Sequence, residues 1–310
     1  MLDGMDTEQM PGREAVFGFG AHSGIDEVPE LLRMAQQADR DGLDILSLSD
    51  HPYIGERLDA YAAVGFVLGG TRRLAGFANV TNLPLRPAPM LARTVASLSA
   101  LSGGRVVLGV GAGGLWDRIC DMGVPRLPPG DAVDSFEEAI TLIKMLCGGG
   151  PPVTYQGRHF QVNQIDPAPV AAPAVWTGSV GRKSLAATGR VADGWIPGHA
   201  ADWLSQRYRT SRPVIDEAAA AAGRDPREIR TIFNFPGRIT DQPRTATRDS
   251  DGRWIGGSAG QWAEELTGAV REHGAAGFML FSPEGGTPDS VSLTRWAREI
   301  VPAVREMIAK

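Results

Sequence analysis

An acid and a base stand side by side in the segment Ser49-Asp50-His51-Pro52, at the end of the predicted strand DILSLS. An imidazole beside a carboxylate can exchange protons near neutral pH, so Asp50 and His51 are candidate catalytic residues. The alternative is that both side chains only cap the turn before Pro52, because polar residues are common in such turns. The dipeptide taken alone fits the capping role better.

Glycines follow another predicted strand, RVVLGV, in the run Gly111-Ala112-Gly113-Gly114. Such a loop exposes backbone amides where an anionic or planar ligand can approach closely. A nicotinamide fingerprint is not supported, because no helix follows at once and no acidic residue ends a second strand at the expected distance. The neighbouring strand LAGFANV carries the polar Asn79, which either faces a ligand or bonds to nearby backbone. The pattern predicts an enzyme that uses a cofactor.

A further loop, Thr177-Gly178-Ser179-Val180-Gly181, precedes Arg182 and Lys183 at the start of a predicted helix. Backbone amides, a hydroxyl group and a helix N-terminus together form a phosphate site. The alternative is a loop whose basic residues face solvent. We expect phosphate binding because the glycines, the serine and the helix start coincide. His22 ends the first predicted strand and is a candidate for catalysis, for substrate contact or for a structural role.

The candidate residues share one position, the carboxyl end of a predicted strand, in a chain whose strands alternate with helices. Such alternation produces a parallel sheet, and eight strand–helix units favour closure into a (β/α)8 TIM barrel of the α/β class. The predicted strands are VFGFGA, DILSLS, LAGFANV, RVVLGV, AVWTG, DGWIPG, IRTIFNF and GFMLFS. Barrel active sites lie at the carboxyl ends of the strands, where the candidate residues fall.

A single domain is expected over 1–310, because no domain boundary is visible. A flexible N-terminus is predicted over about 1–13, and an interruption over 148–173, where glycines and prolines precede a short hairpin about Gln156-Gly157. The polar stretch 236–257 is long enough for a mobile loop on the active face of the barrel. A helix is predicted over Asp134–Leu146, with Asp134 as its N-cap.

Composition argues against several partners. The net charge is −5, from 31 basic and 36 acidic side chains, and no basic block is present, which argues against nucleic acid. No apolar stretch reaches transmembrane length and the polar start resembles no signal peptide, so we expect a cytoplasmic protein without membrane contact. Cys120 and Cys147 form no CxxC motif, so we expect a reducing compartment and no metal site.

Together, these segments resemble the bacterial luciferase-like superfamily of flavin and deazaflavin oxidoreductases, in the branch that depends on coenzyme F420. The matching stretches run in family order and cover most of the chain: SLSDHP, AGFANVTNLPLRPAPMLARTVASLSALSGGRVVLGVGAGG, WTGSVGRKSLAATGRVADGWIPG and GFMLFSPEGG followed by WAREIVPAVRE. The resemblance implies a (β/α)8 barrel with an insertion after the fourth helix, which is the place of the interruption over 148–173.

The resemblance also implies roles for individual residues. Asp50 and His51 lie beside the deazaflavin ring, where His51 positions or protonates the reacting centre. The bond Asn79–Val80 is a non-prolyl cis peptide behind the ring. The residues that follow the ribityl chain and the phosphate are, in order, Gly111, Ala112, Gly113, Gly178, Ser179, Val180 and Gly181.

The substrate pocket is expected among His22, Tyr53, Trp116 and the segment 236–257. One departure from the family is Gly114, which stands where sugar-phosphate dehydrogenases carry a glutamate as general acid. Dehydrogenation of glucose 6-phosphate is therefore not expected. The proton must then come from His51, from another side chain or from water.

We therefore predict an oxidoreductase that transfers a hydride between coenzyme F420 and a small organic substrate, by reduction of a C=C or C=N bond. Two alternatives remain: an FMN-dependent monooxygenase that works with a separate reductase, and a non-catalytic barrel that binds flavin or deazaflavin. A flavin or F420 reductase is a further candidate partner. The resemblance implies a homodimer formed through helices near the second and third strands. The alternative is burial within the monomer of the apolar run formed by Leu58, Tyr61, Val64, Phe66 and Leu68.

Overall fold

The computed structural model describes residues 15–310, so the N-terminus predicted to be flexible over 1–13 lies outside the described residues. Strands and helices alternate along the chain. The strands are β1 (Val16–Ala21), β2 (Ile45–Leu48), β3 (Ala75–Ala78), β4 (Thr81–Asn82), β5 (Leu108–Gly111), β6 (Val153–Gln156), β7 (Gln161–Ile165), β8 (Val175–Thr177), β9 (Gly194–Trp195), β10 (Arg230–Pro236), β11 (Arg238–Thr240), β12 (Gly256–Ser258) and β13 (Ala275–Phe281).

The helices pack around these strands. They are α1 (Val28–Arg40), α2 (Ala60–Gly69), α3 (Ala88–Ser102), α4 (Trp116–Asp121), α5 (Pro129–Met145), α6 (Arg182–Val191), α7 (Gln206–Ala221), α8 (Ala259–His273), α9 (Ser290–Arg295) and α10 (Val301–Ala309). A π-helical turn, Trp296–Ile300, joins α9 to α10.

Within residues 15–310, nine strands form one parallel sheet in the order β3-β2-β1-β13-β10-β9-β8-β5-β4. The sheet closes at Gly76, whose backbone N–H donates to Arg105 O at 3.0 Å and whose carbonyl accepts from Val107 N at 3.3 Å. The predicted TIM barrel is confirmed. The third predicted strand is divided into β3 and β4, and the Asn79–Val80 peptide bond between them is cis, as the resemblance implied.

Apolar side chains from strands all around the barrel fill its interior. They are Val16, Ile45, Ala75, Phe77, Val107, Trp176, Ile196, Ile232 and Met279. Phe77 and Trp176 meet edge to face with their ring centroids 5.2 Å apart. Full burial of a side chain of this size stabilises the fold by roughly 2–3 kcal/mol, so this layer holds the strand ends in fixed positions.

The helix predicted over Asp134–Leu146 begins five residues earlier, so the predicted N-cap is wrong. Helix α5 starts at Pro129, whose fixed φ suits the first helical turn and whose missing N–H is not needed there. Asp134 lies inside the helix, and its carboxylate instead accepts from Lys183 Nζ at 2.5 Å.

The interruption over 148–173 contains the expected hairpin, in which β6 and β7 pair antiparallel. Its turn is longer than predicted, because Gly157 N donates to Phe160 O at 2.9 Å and four residues separate the strands. The Glu138 carboxylate of α5 accepts the backbone N–H groups of Arg158, His159 and Phe160, which attaches the hairpin to the barrel.

The stretch 236–257 is partly regular. It contains β11 and the start of β12, which pair parallel to each other. Trp254 stacks on Phe235 at a centroid distance of 5.8 Å and belongs to the core. The mobility of this stretch remains a prediction.

The apolar run predicted to form a dimer contact is mostly used inside the chain. Tyr61, Val64 and Leu68 of α2 are buried, whereas Phe66 is 52% exposed. Burial within the monomer therefore accounts for three of the five residues, and the homodimer remains a prediction.

Neither a membrane span nor a metal cluster is found within 15–310. None of the helices there combines the length and the apolar character needed to cross a membrane. No group of three or more His, Cys, Asp or Glu side chains in the same range could hold a metal ion. Cys120 and Cys147 are both free thiols.

Candidate active site

A cleft of about 700 Å³ opens at the carboxyl ends of the barrel strands. The residues predicted to contact the cofactor all line it: Asp50, His51, Asn79, Val80, Gly111, Ala112, Gly113, Gly178, Ser179, Val180 and Gly181. Tyr53, Gly114 and Trp116 also line it, whereas His22 and the stretch 236–257 do not. Another groove, of about 820 Å³, opens among α3, the start of β5 and the approach to β8, and contains no predicted site residue.

Val80 forms the floor of this cleft between two glycines. A Cβ atom built at Gly111 would lie 2.9 Å from Val80 Cγ2, and one built at Gly178 would lie 3.0 Å from the same atom. Both distances are well below the 3.5–4.0 Å at which carbon atoms attract each other. A side chain at either position would therefore displace Val80. The glycines leave their backbone open to a ligand beside this single branched side chain.

Asp50 is bonded through both of its carboxylate oxygens. Arg86 donates to them from Nε at 2.8 Å and from Nη2 at 2.7 Å, and the Asn82 backbone N–H donates at 2.9 Å. Arg86 also donates to Asp59, the N-cap of α2, at 2.6 Å. Asp50 is only 3% exposed. Both carboxylate oxygens of Asp50 are therefore engaged and neither is free for the predicted proton transfer. The geometry assigns this residue to positioning the loop after β2.

His51 pairs with a residue two positions along the same loop. Its Nδ1 lies 2.7 Å from Tyr53 Oη. Burial and the charge of Arg57 lower the pKa of His51, against the opposing effect of Asp50, so the imidazole is neutral at pH 7. Burial and Asp50 raise the pKa of Tyr53, so the phenol keeps its proton. Because Nδ1 is engaged by Tyr53, Nε2 is the nitrogen left to exchange a proton with a bound molecule.

His22 lies at the rim, outside the lining of the cleft. Its backbone N–H donates to Thr287 Oγ1 at 2.8 Å, which ties the end of β1 to the loop after β13. Burial and Arg57 lower the pKa of His22, and the nearby His51 ring lowers it further. The two imidazoles are thus neighbours, although only His51 faces the cofactor cleft.

Asn79 takes part in a polar network across the barrel mouth. Its Nδ2 donates to Asn234 Oδ1 at 2.9 Å and to Ser47 Oγ at 3.3 Å. The hydrogen bond between Asn79 and Asn234 joins the end of β3 to β10, which lies on a separate part of the barrel wall. The polar residue in an apolar strand is therefore satisfied by side chains, and one face of its amide borders the cleft.

The predicted phosphate loop leads into α6, whose N-cap Gly181 provides no side-chain hydrogen bond. The first backbone amides of the helix thus remain available to an anion. Ser179 is buried, and its Oγ accepts from Thr188 Oγ1 at 2.8 Å, which leaves its O–H as a donor. Its contact with a phosphate remains a prediction. Lys183 is engaged by Asp134 and by the carbonyl of Gly130, so backbone amides rather than this side chain form this end of the cleft.

Asn82 lines the cleft and supplies a polar atom that is free to accept a hydrogen bond. Its Oδ1 is buried and has no hydrogen-bond partner within residues 15–310. An unsatisfied buried acceptor costs about 1–3 kcal/mol, and a ligand N–H or O–H would remove that cost. The Val80 floor, the glycine backbone, this acceptor and the α6 N-terminus together fit a planar cofactor that carries a phosphate.

Several residues of the site were not found from the sequence. Asn234 interrupts the strand IFNF just as Asn79 interrupts LAGFANV, so the same signal could have identified it. Arg86 and Arg57 have no comparable local signal, because their partners lie in other loops. Tyr53 was placed in the substrate pocket, but its bond to His51 was not foreseen.

A sequence model of the family described as luciferase-like monooxygenase matches residues 12–283. The F420-dependent glucose-6-phosphate dehydrogenase of Microbacterium testaceum is 29% identical over 226 residues, 70% of this chain and 66% of that protein. The protein of the same name from Kineococcus radiotolerans is 26% identical over 318 residues, 89% of this chain and 93% of that protein.

Solved structures show the same fold. The coenzyme F420-dependent tetrahydromethanopterin reductase of Methanopyrus kandleri superposes with a TM-score of 0.76 at 18% identity, over 93% of this chain and 99% of that one. A long-chain alkane monooxygenase superposes with a TM-score of 0.75 at 14% identity, over 96% and 92%.

Proposed function

The chain belongs to the luciferase-like monooxygenase family, and we propose that it is an oxidoreductase that transfers a hydride between coenzyme F420 and a small organic substrate. Two relatives named for their F420 dependence support the choice of cofactor, one of them across 89% of the chain. The observation that carries the proposal is one cleft that unites the Val80 floor, His51 and the uncapped N-terminus of α6.

Different residues of the cleft would contact different parts of the cofactor. Val80 would support the ring of the cofactor, and the backbone of Gly111 to Gly113 would contact the side chain of the cofactor. The amides at the start of α6 would hold the phosphate, and Asn82 Oδ1 would accept a hydrogen bond. The bound cofactor supplies the hydride chemistry, while the barrel supplies orientation and excludes water.

His51 provides the proton. Its imidazole takes up a proton from water and passes it on at Nε2, while the Tyr53 hydroxyl at Nδ1 keeps its own proton and orients the ring. Asp50 and Arg86 hold the loop that carries both residues. This arrangement supplies an acid that does not depend on position 114, where a glycine stands.

The reaction we favour is reduction of an activated C=C or C=N bond. Position 114 is a glycine, so it offers no acid where sugar-phosphate dehydrogenases carry a glutamate. Oxidation of glucose 6-phosphate, which the names of the two relatives describe for those proteins, is not proposed for this chain.

The test is a titration of the apoprotein with F420 and, separately, with FMN, followed by fluorescence. Tight binding of F420 and weak binding of FMN are expected. Tight binding of FMN without binding of F420 would overturn the proposal.

An FMN-dependent monooxygenase is the second candidate, favoured by the family description and by the fold shared with an alkane monooxygenase. It predicts oxygen consumption in the presence of reduced FMN. A barrel that binds cofactor without turnover is the third candidate. We also propose that the protein forms a homodimer, works with a separate reductase and is located in the cytoplasm.

A further inference from the structure

Arg57 is fixed between the ends of β1 and β2. Two successive turns bring it back over the loop of His51: Ile54 N donates to His51 O, and Arg57 N donates to Ile54 O, both at 3.0 Å. Its backbone bridges that of Gly24, and its Nη1 donates to Ser49 Oγ at 3.2 Å. The guanidinium is therefore held at the barrel mouth.

The half-buried guanidinium of Arg57 has no carboxylate partner within residues 15–310. Two other arginines of low exposure do have one: Arg86 binds Asp50, and Arg248 binds Asp202 at 2.6 Å. Among the described residues, the one side chain bonded to Arg57 is the neutral Ser49. A partly buried cation without a counter-charge is costly, so an anion is expected to bind there.

Apart from the exposed Glu27, the groups described around Arg57 are two neutral imidazoles and a hydroxyl, which can form hydrogen bonds. The pKa values of His22 and His51 are both lowered, first by burial and then by Arg57, so both rings are neutral. Ser23 is fully buried, and its Oγ has no hydrogen-bond partner in the part of the chain that the structure describes. The exposed Glu27 is the carboxylate that acts on His22, and it forms no ion pair with Arg57 within 4 Å.

We propose that Arg57, together with His22, His51 and Ser23, binds a carboxylate of the substrate. The substrates would then be carboxylic acids whose reducible bond lies next to the carboxylate, close to His51. A carboxylate carries one negative charge and matches the single guanidinium, whose parallel donors suit its two oxygens. A dianionic phosphate would leave one charge unbalanced beside Glu27. The reaction rests on the proposed function, whereas the binding of the anion does not.

The experiment titrates the apoprotein with crotonate, with the neutral crotonamide and with inorganic phosphate, while the histidine imidazole signals are followed by NMR. Spectra of His22→Gln and His51→Gln assign the signals. Crotonate should shift both signals saturably and bind at least tenfold more tightly than crotonamide or phosphate. Equal binding of crotonate and crotonamide, no saturable binding of crotonate, or tighter binding of phosphate would overturn the proposal.

Variants separate the role of Arg57 from general charge. Arg57→Gln should weaken crotonate binding at least tenfold, and Arg57→Lys should recover only part of the loss, because the forked geometry is missing. Arg209→Gln removes the same charge from an exposed position of α7 and should change the affinity less than twofold. Unchanged affinity in a folded Arg57→Gln protein would refute the assignment. F420 titration of the wild type reports separately on the proposed function.

Discussion

The Arg86 guanidinium donates two parallel hydrogen bonds, of 2.8 and 2.7 Å, to the carboxylate of Asp50, which lies 36 positions earlier in the sequence. The pair joins the loop after β2, which carries His51, to the turn after β4. It is buried, with the Asp50 side chain 1% exposed and that of Arg86 18% exposed. Removing one member of such a pair leaves the other charge buried without a partner.

Arg86→Gln should therefore lower the free energy of unfolding by about 3–5 kcal/mol. Urea denaturation measures the change. Arg33→Gln is the matched control, because Arg33 binds Glu30 with both side chains about half exposed, and its loss of stability should be much smaller. Equal losses in the two variants would contradict the structural role of the Arg86–Asp50 pair.

The glycines beside Val80 should not tolerate a methyl group. Gly111→Ala places a Cβ 2.9 Å from Val80 Cγ2, so we expect a loss of about 1–3 kcal/mol of stability and weaker F420 binding. Gly114→Ala is the control, since its Cβ would meet nothing within 4 Å. The double variant Gly111→Ala with Val80→Ala should recover part of the stability. A loss at Gly114 as large as at Gly111 would argue against this contact.

Tyr53→Phe should slow turnover without weakening the binding of cofactor. The variant removes only the hydroxyl that lies 2.7 Å from His51 Nδ1, so kcat should fall about tenfold or more while KM and the Kd for F420 change little. Tyr155→Phe in the inserted hairpin serves as the control. A kcat equal to that of the wild type would show that the hydroxyl takes no part in proton transfer.

Acidification should destabilise the fold between about pH 7 and pH 5. Burial lowers the pKa values of His22, His51 and His199 below the ordinary 6.5. The unfolded chain therefore binds protons in this range that the folded chain does not, and stability falls as pH decreases through the lowered pKa values. Denaturation at several pH values measures the slope, which His51→Gln should reduce. Greater stability at pH 5.5 than at pH 7.5 would contradict the prediction.

Much of the barrel could be predicted because its signals are local. Apolar strands recur between helices, so the strand count and the carboxyl-end position of Asp50, Asn79 and Gly111 followed from the order of residues. The N-terminus of α5 was misjudged by the same local reasoning. Asp134 and Glu137 match a capping box, but the helix already begins at Pro129.

Roles within the site were harder to predict, because they depend on which groups are already bonded. Lys183 has the residue type expected beside a phosphate, yet its ammonium group already binds Asp134 and the carbonyl of Gly130. Asp50 has the residue type expected of a base, yet Arg86 and Asn82 occupy its oxygens. Residue type and spacing cannot show that a hydrogen-bonding group is already satisfied.

By itself, the sequence determined which residues stand at the carboxyl ends of the strands, because alternation along the chain dictates a parallel barrel. Only the tertiary structure decided how those residues pair. Asn79 meets Asn234 across 155 positions, and Arg57 lies near two neutral histidines with no carboxylate partner among residues 15–310. Such pairings arise when the sheet closes and brings distant strands together, and they decide which polar groups remain free to bind a ligand.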